Sequence, residues 1–180
     1  MYGSLNPNTE EANDAPEVKN IFVYGTLTSE GTLCYNMLKH GAVLRGPFFT
    51  LPRFIMFGEY VPQAYTHEEG YNVLGECWTL PVGMRERNEL IATLDRIEGH
   101  PHLYRRTMIM VSPVDKSSAC LAFMYIGPKA GLIQRERQKP LIPIKFNDGY
   151  YHIWNKGIVG VNKVATITRD AGALDTEEAF

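Results

Sequence analysis

Leu90, Ile91, Leu94 and Ile97, preceded by Met84, recur at helical spacing and predict an amphipathic helix over Met84 to Glu98. One face of that helix would be buried and would fix its axis, and Gly99 and Pro101 would stop it. A different pattern opens the chain's first apolar run. Ile21, Phe22, Val23 and Tyr24 are β-prone and lead into Gly25, Thr26 and Leu27, then into a polar turn at Thr28, Ser29 and Glu30. That order reads as a buried strand over 20–25 followed by a loop. A helix is expected from near Ser29 or Thr32 to just before Gly41, with Lys39 and His40 in its last turn. Further strands are predicted at 42–50, 53–60, 71–80, 103–112 and 119–126, and a last one from Val164 to Thr168. Alternation within 71–80 places Tyr71, Val73, Cys77 and Thr79 on one face and Leu74, Glu76, Trp78 and Leu80 on the other.

Pro140 and Pro143 bar the segment 140–146 from a central strand, so it reads as an extended loop that could wall a pocket. Tyr150, Tyr151, His152 and Trp154 read as a packed edge of the core, with covering a ligand as the lesser reading. Met1 to Lys19 shows no periodicity and is expected to be a flexible acidic arm. The expected organisation is therefore an arm over 1–19, one domain over 20–168 and a polar tail over 169–180.

Composition changes this picture little. With 180 residues, 44% of them hydrophobic, the chain is long enough for one domain with a sizeable core. The formal charge of −2 is unevenly spread. Four acids stand against Lys19 in the first nineteen residues and four against Arg169 in the last twelve, so the stretch between is mildly basic. That balance suits a small anionic ligand and lies far below a nucleic-acid footprint. Cys34, Cys77 and Cys120 are far apart and odd in number, which reads as small buried residues in a reducing compartment. A polar, acidic N-terminus is no signal peptide, and no apolar run approaches the ~20 residues that span a bilayer, so a cytoplasmic protein without membrane partners is expected. His100 and His102 have no third ligand at a recognisable spacing and read as two solvated loop histidines, so neither metal nor cofactor is expected. The charged run from Gln134 to Lys139 reads as a solvated helical turn.

Two positions remain as candidate chemistry. Glu98 sits where the helix dipole disfavours a negative charge, next to a glycine–proline corner. It is either a solvated acid on a helix end or a base that a packed helix positions. Gly25 either makes a tight turn or lets the backbone approach a ligand, with the following amides as donors to an anionic oxygen. Glu76, an acid among apolar neighbours, either lies near a cleft or forms a salt bridge.

Together these stretches carry a resemblance. Tyr24-Gly25-Thr26-Leu27 looks like the YGTL motif of the gamma-glutamylcyclotransferase-like superfamily, and Leu94 to Arg106 is similar to its LDxxEGxPxxYxR segment. Gly75 to Trp78 and Phe123 to Tyr125 resemble two of its strands more loosely, and the likeness covers roughly Asn20 to Ile126. The threonine of YGTL looks like the gamma-glutamylamine branch. The resemblance implies an α+β fold with a mixed, strongly curved, barrel-like sheet and flanking helices. It implies release of 5-oxoproline and a free amine or amino acid from a small gamma-glutamyl substrate, a lyase or acyl-transfer reaction without cofactor. Glu98 maps onto the family's acid/base, and Tyr24, Gly25, Thr26 and Leu27 onto its substrate loop.

The residue types suit that chemistry. The substrate's own α-amine attacks its γ-carbonyl, so no nucleophilic side chain is required. A carboxyl group must take a proton from the amine and return it to the leaving nitrogen. Tyr104 and Tyr125 carry hydroxyls that could orient Glu98 or the substrate, and a hydrogen bond to backbone is the commoner role of a buried tyrosine. Arg105 and Arg106 alternate sides of a strand, and Arg106, which matches the motif, could pair with Asp95 or Glu98. Two other readings stay open. One is a binding protein of the same fold that captures an amine-bearing or gamma-glutamyl ligand, and the other is a related cleavage on a modified protein or nucleic acid.

Overall fold

Twelve elements run along the chain: β1 (Asn20–Val23), α1 (Tyr35–Lys39), β2 (Val43–Thr50), β3 (Phe54–Phe57), β4 (Gln63–Thr66), β5 (Asn72–Thr79), α2 (Met84–Ile97), β6 (Arg105–Pro113), β7 (Cys120–Ile126), α3 (Lys129–Gln134), β8 (Ile144–Phe146) and β9 (Gly149–Ile153). They come from a computed structural model that describes residues 17–58, 60–135, 138–146 and 149–154. The expected strand at 164–168 and the tail lie outside the described residues. The fold is α+β, with a mixed sheet that closes on itself. Strands follow the order β1-β7-β6-β2-β5, and β5 pairs back onto β1 to complete a five-stranded barrel.

Strand β5 is the hinge of the topology. One of its edges pairs with β2 over Val43 to Phe49. The other is shared, with Glu76 to Thr79 facing β1 and Asn72 to Leu74 facing β9. Strands β9 and β8 therefore hang from the barrel as an antiparallel flap. Pro140 and Pro143 precede β8, which takes the outermost place in the sheet, where a proline-rich approach removes no needed ladder bond.

Alternation along β1 sorts two cores. Phe22 and Tyr24 enter the barrel with Phe48, Val73, Cys77, Val111, Ala122 and Met124. Ile21 and Val23 face outward and pack with Trp78, Met37, Leu90, Leu94, Tyr104 and Tyr125 beneath α1 and α2. A strand buried on both faces explains the unbroken apolar run in its sequence. The faces predicted for 71–80 agree, since Val73 and Cys77 point into the barrel while Trp78 and Leu80 lie under the helices. Helix α2 buries Leu90 and Leu94 fully and keeps Ile91 and Ile97 partly buried. Met84, counted in its apolar face from spacing, is 78% exposed at the first position of the helix.

Several expectations need correction. The strand predicted at 53–60 ends at Phe57, because Gly58 takes φ +89° and turns the chain back into β4. The helix expected from Ser29 or Thr32 is only α1. The chain before it is held in turns by Leu33 N to Thr26 O at 2.9 Å and Gly31 N to Thr28 O at 2.7 Å. Cys34, expected within that helix, caps it and is buried. The charged run from Gln134 begins as α3 ends. Arg135 turns inward, donating to Tyr65 Oη at 3.1 Å and also to Gln63 Oε1, so it is no simple solvated turn. Of the four aromatics expected as a packed edge, His152 and Trp154 are buried and Tyr151 stands edge-on to Phe49, whereas Tyr150 is 56% exposed. Trp154 joins the barrel core, and the His152 ring stands edge-on to Tyr71 at 5.5 Å. At the other end, Val18 is buried, Lys19 O accepts Leu80 N at 2.8 Å, and Glu17 pairs with Arg87, so ordered contacts begin before Asn20.

Candidate active site

Glu98 ends α2 as its C-cap, with its backbone N–H still bonded to Leu94 O. The next residues lock that corner. Gly99 N donates to Arg96 O at 3.3 Å and His100 N to Asp95 O at 2.8 Å, the paired bonds of a Schellman motif. Gly99 takes φ +61°, which a glycine adopts without strain. Leu90 and Leu94 hold the helix on the sheet, so the direction of the Glu98 side chain is fixed from both ends. His100, expected in solvent, instead accepts Arg106 N at 3.2 Å and ties the corner to β6, while His102 is exposed.

Glu98 lines a cleft that opens to solvent. The cleft is lined by all seven residues singled out in the sequence, Tyr24, Gly25, Thr26, Leu27, Glu98, Tyr104 and Tyr125. It is also lined by Val61 and Pro62 from the β3–β4 turn. Those two carried no signal in the local pattern, because a turn brings them from another sheet. Pro62 also explains Gly25. Gly25 opens a turn closed by Thr28 N to its carbonyl oxygen at 3.1 Å; its φ is not positive, and a Cβ there would lie 2.9 Å from Pro62 Cγ. The glycine is needed for space at the cleft wall.

Burial decides the electrostatics. Among the described residues no side chain donates a hydrogen bond or an ion pair to the Glu98 carboxylate. It is half-buried, and loss of hydration pushes its pKa up to about 7. Tyr104 and Tyr24 are held well above the usual phenol range, chiefly by burial, and the nearby Glu98 charge adds to both. Both hydroxyls stay protonated and both are engaged: Tyr24 Oη donates to Tyr125 O at 2.9 Å, and Tyr104 Oη to Pro62 O at 3.1 Å. Tyr125 Oη donates to Asp95 Oδ1 at 2.7 Å, and Arg106 Nη1 meets Asp95 Oδ2 at 2.7 Å. The arginine partner foreseen in sequence is therefore Asp95, and the tyrosines build the walls without bonding Glu98.

The loop opposite Glu98 is rigid where it must be. Gly25 O accepts both Thr28 N at 3.1 Å and Thr28 Oγ1 at 2.7 Å. Behind it, Glu76 is fully buried and accepts Ser29 N and Ser29 Oγ, each at 2.6 Å, and Trp78 Nε1 at 3.3 Å. In these contacts Glu76 is held by neutral donors behind the cleft, where the sequence offered a cleft position or a salt bridge. It pins the loop. Among the described residues the amides of Gly25, Thr26 and Leu27 have no acceptor, and they belong to the segment that lines the cleft. No group of three potential metal ligands occurs among the described residues, and none of their helices is long and apolar enough to cross a membrane.

A family model described as gamma-glutamyl cyclotransferase, AIG2-like, matches residues 21–151. An AIG2-like protein from Mus musculus is 26% identical, with a TM-score of 0.51 over 62% of this chain and 78% of that one. A uropathogenic Escherichia coli-specific protein shares the fold at 19% identity and a TM-score of 0.50, over 70% of this chain and 89% of its own. Comparison with curated proteins finds no match.

Proposed function

The chain belongs to the gamma-glutamyl cyclotransferase, AIG2-like family, and from that premise we propose that it cyclises a gamma-glutamyl compound to 5-oxoproline, with Glu98 as acid and base. The observation that carries this reading is a carboxyl group with no partner among the described residues, its pKa pushed to about 7, in a cleft also lined by Gly25, Thr26 and Leu27, whose amides have no acceptor among the described residues.

Near neutral pH the ionised Glu98 takes a proton from the substrate's α-ammonium group. The freed amine attacks the γ-carbonyl carbon, and the carbonyl π electrons move onto oxygen. The amides from Gly25 to Leu27 supply donors for the negative oxygens of the substrate. The intermediate then collapses, the bond from the γ-carbon to the leaving nitrogen breaks as Glu98 returns its proton to that nitrogen, and the ring nitrogen gives up its second proton to the released amine, leaving neutral 5-oxoproline and an ammonium product. A pKa near 7 suits both transfers, because neither protonation state of Glu98 is scarce. The attack is intramolecular, so the site's main task is to fold a flexible chain into a ring-like pose, worth about 7–11 kcal/mol in favourable cases. Tyr24, Leu27, Pro62, Tyr104 and Tyr125 form the rigid walls that enforce it.

The test is 5-oxoproline release from a panel of gamma-glutamyl amines and dipeptides. Release that depends on Glu98 supports the reading. Tight binding of a panel member without any release would assign the cleft to capture of a ligand.

A further inference from the structure

At the Asn20 end of β1, opposite the end that opens into the cleft, a second group of reactive side chains gathers. Cys77 on β5 faces the barrel interior and is fully buried. Cys120 opens β7 and is half-buried, packed against the same core. Arg45 reaches over both from β2. Its Nη1 lies 3.1 Å from Cys120 Sγ, 4.0 Å from Cys77 Sγ and 3.2 Å from Asn20 Oδ1, and its guanidinium sits 4.9 Å above the Phe48 ring. Two thiols thus lie within 4.0 Å of one permanently cationic nitrogen. None of the three lines the cleft, and the cyclotransferase chemistry uses none of them.

We propose that Cys120, Cys77 and Arg45 form a peroxide-reactive dithiol site, in which Cys120 is oxidised first and Cys77 then closes a disulfide with it. Exposure sets the order. Peroxide reaches the half-buried Cys120 from solvent, whereas Cys77 lies beneath it. The Arg45 guanidinium, 3.1 Å from Cys120 Sγ, stands beside the sulfur that peroxide meets first. The Cys120 thiolate attacks one peroxide oxygen, the O–O bond breaks, and hydroxide leaves and takes up a proton. Sulfur is oxidised to the sulfenic acid as the peroxide is reduced. Cys77, as thiolate, then attacks the Cys120 sulfur. The S–S bond forms, the S–O bond breaks, and the departing hydroxide takes the Cys77 proton to become water.

The electrostatics of Cys77 support that sequence. Burial first, and then the charge and hydrogen bond of Cys120, push its thiol up to about 12, while Arg45 lowers it. Oxidation of Cys120 removes one of the influences that raise the Cys77 thiol and leaves the Arg45 contact in place. A pair of this kind is compatible with a reducing compartment, where protein disulfides are transient and redox-sensing.

The experiment treats the full-length protein with a few equivalents of hydrogen peroxide and follows intact mass and non-reduced peptide maps. The expected product loses two hydrogens and yields one cross-linked peptide joining Cys77 to Cys120, reversed by a thiol reductant. Cys77→Ser should stop at a Cys120 sulfenic acid that dimedone traps, and Arg45→Gln should slow the first step by roughly tenfold. Oxidation only at Cys34 or at methionines, or a Cys120 that over-oxidises without cross-linking in the wild type, overturns the proposal. An Arg45→Gln rate equal to wild type overturns the part assigned to the guanidinium. The wild-type peptide map decides the matter even if Cys77→Ser fails to fold.

Discussion

Asp95 and Glu98 stand three residues apart on the same helix end and live in opposite conditions. Asp95 spends both carboxylate oxygens inside the protein, one on Arg106 and one on the Tyr125 hydroxyl. Glu98 has no such partner among the described residues and faces an open cleft. Similar chemistry a turn apart therefore does different work. The paired acid fixes where β6, β7 and α2 meet, and the unpaired one keeps a titratable proton available near neutral pH. The contrast also separates two uses of burial. Around Asp95 it strengthens bonds already made. Around Glu98 it leaves the charge poorly solvated and so shifts the proton.

The largest effect should come from Glu98→Gln, which keeps size and polarity but cannot take a proton. Turnover of whichever gamma-glutamyl compound the wild type accepts should fall on the order of a hundredfold or more, with substrate affinity retained. A steady-state rate and a binding isotherm for both proteins check this, and near-wild-type turnover would remove Glu98 from the chemistry.

Asp95→Ala should act in the reverse sense. It strands the Arg106 guanidinium and the Tyr125 hydroxyl, both partly buried, and should lower stability by about 2 kcal/mol. Chemical denaturation reads it. Any loss of activity there should follow loss of fold, and a fully stable but inactive Asp95→Ala protein would show that the two acids are not so separate.

Stability against pH sharpens the same contrast. The Glu98 pKa is near 7 in the folded chain and about 4.5 when unfolded, so the folded state holds the proton more tightly. Its contribution is fully present below pH ~4.5 and is lost as pH rises through ~7. The Gln variant should gain on the wild type over that window, by at most about 3 kcal/mol at pH 8 and less where water screens the half-buried carboxylate. Melting curves at pH 5 and pH 8 give the two ends, and an equal gap at both would mean that the folded carboxyl titrates normally.

A smaller effect is expected from Gly25→Ala. Its methyl group would press on the Pro62 ring at 2.9 Å, so that the cleft wall must shift by a few tenths of an ångström. Stability should fall by about 1 kcal/mol, and the Michaelis constant should rise more than the rate constant falls, as kinetics on the same substrate would show.

What could be read in advance follows the range of the interactions. Helix α2 and its stop at Gly99 rest on neighbours three or four residues away, and the spacing of Leu90, Leu94 and Ile97 exposed them. Arg106 could be tied to Asp95 because a short corner separates the two. The other half of the site depends on distant segments. Pro62 reaches Gly25 only through the reversal at Gly58, and Glu76 reaches Ser29 across forty-seven positions. Tyr125 reaches Asp95 across thirty. No local period encodes those meetings, so the pattern alone carries the strand of 53–60 past Phe57 and leaves Glu76 between two roles. Met84 shows the opposite failure, since its spacing fits the buried face but it is the first residue of the helix and is exposed.

The central claim is that Glu98 is a desolvated, unpaired carboxyl group, and site-resolved titration addresses it most directly. Carbon-13 NMR of protein labelled at the glutamate side-chain carboxyl, with the Glu98 resonance assigned by its absence in Glu98→Gln, should give a midpoint near pH 7, well above the other glutamates. A Glu98 midpoint at the ordinary value of about 4.5 would contradict the account, because the carboxylate would then be solvated or paired and the cleft would hold no base poised at neutral pH.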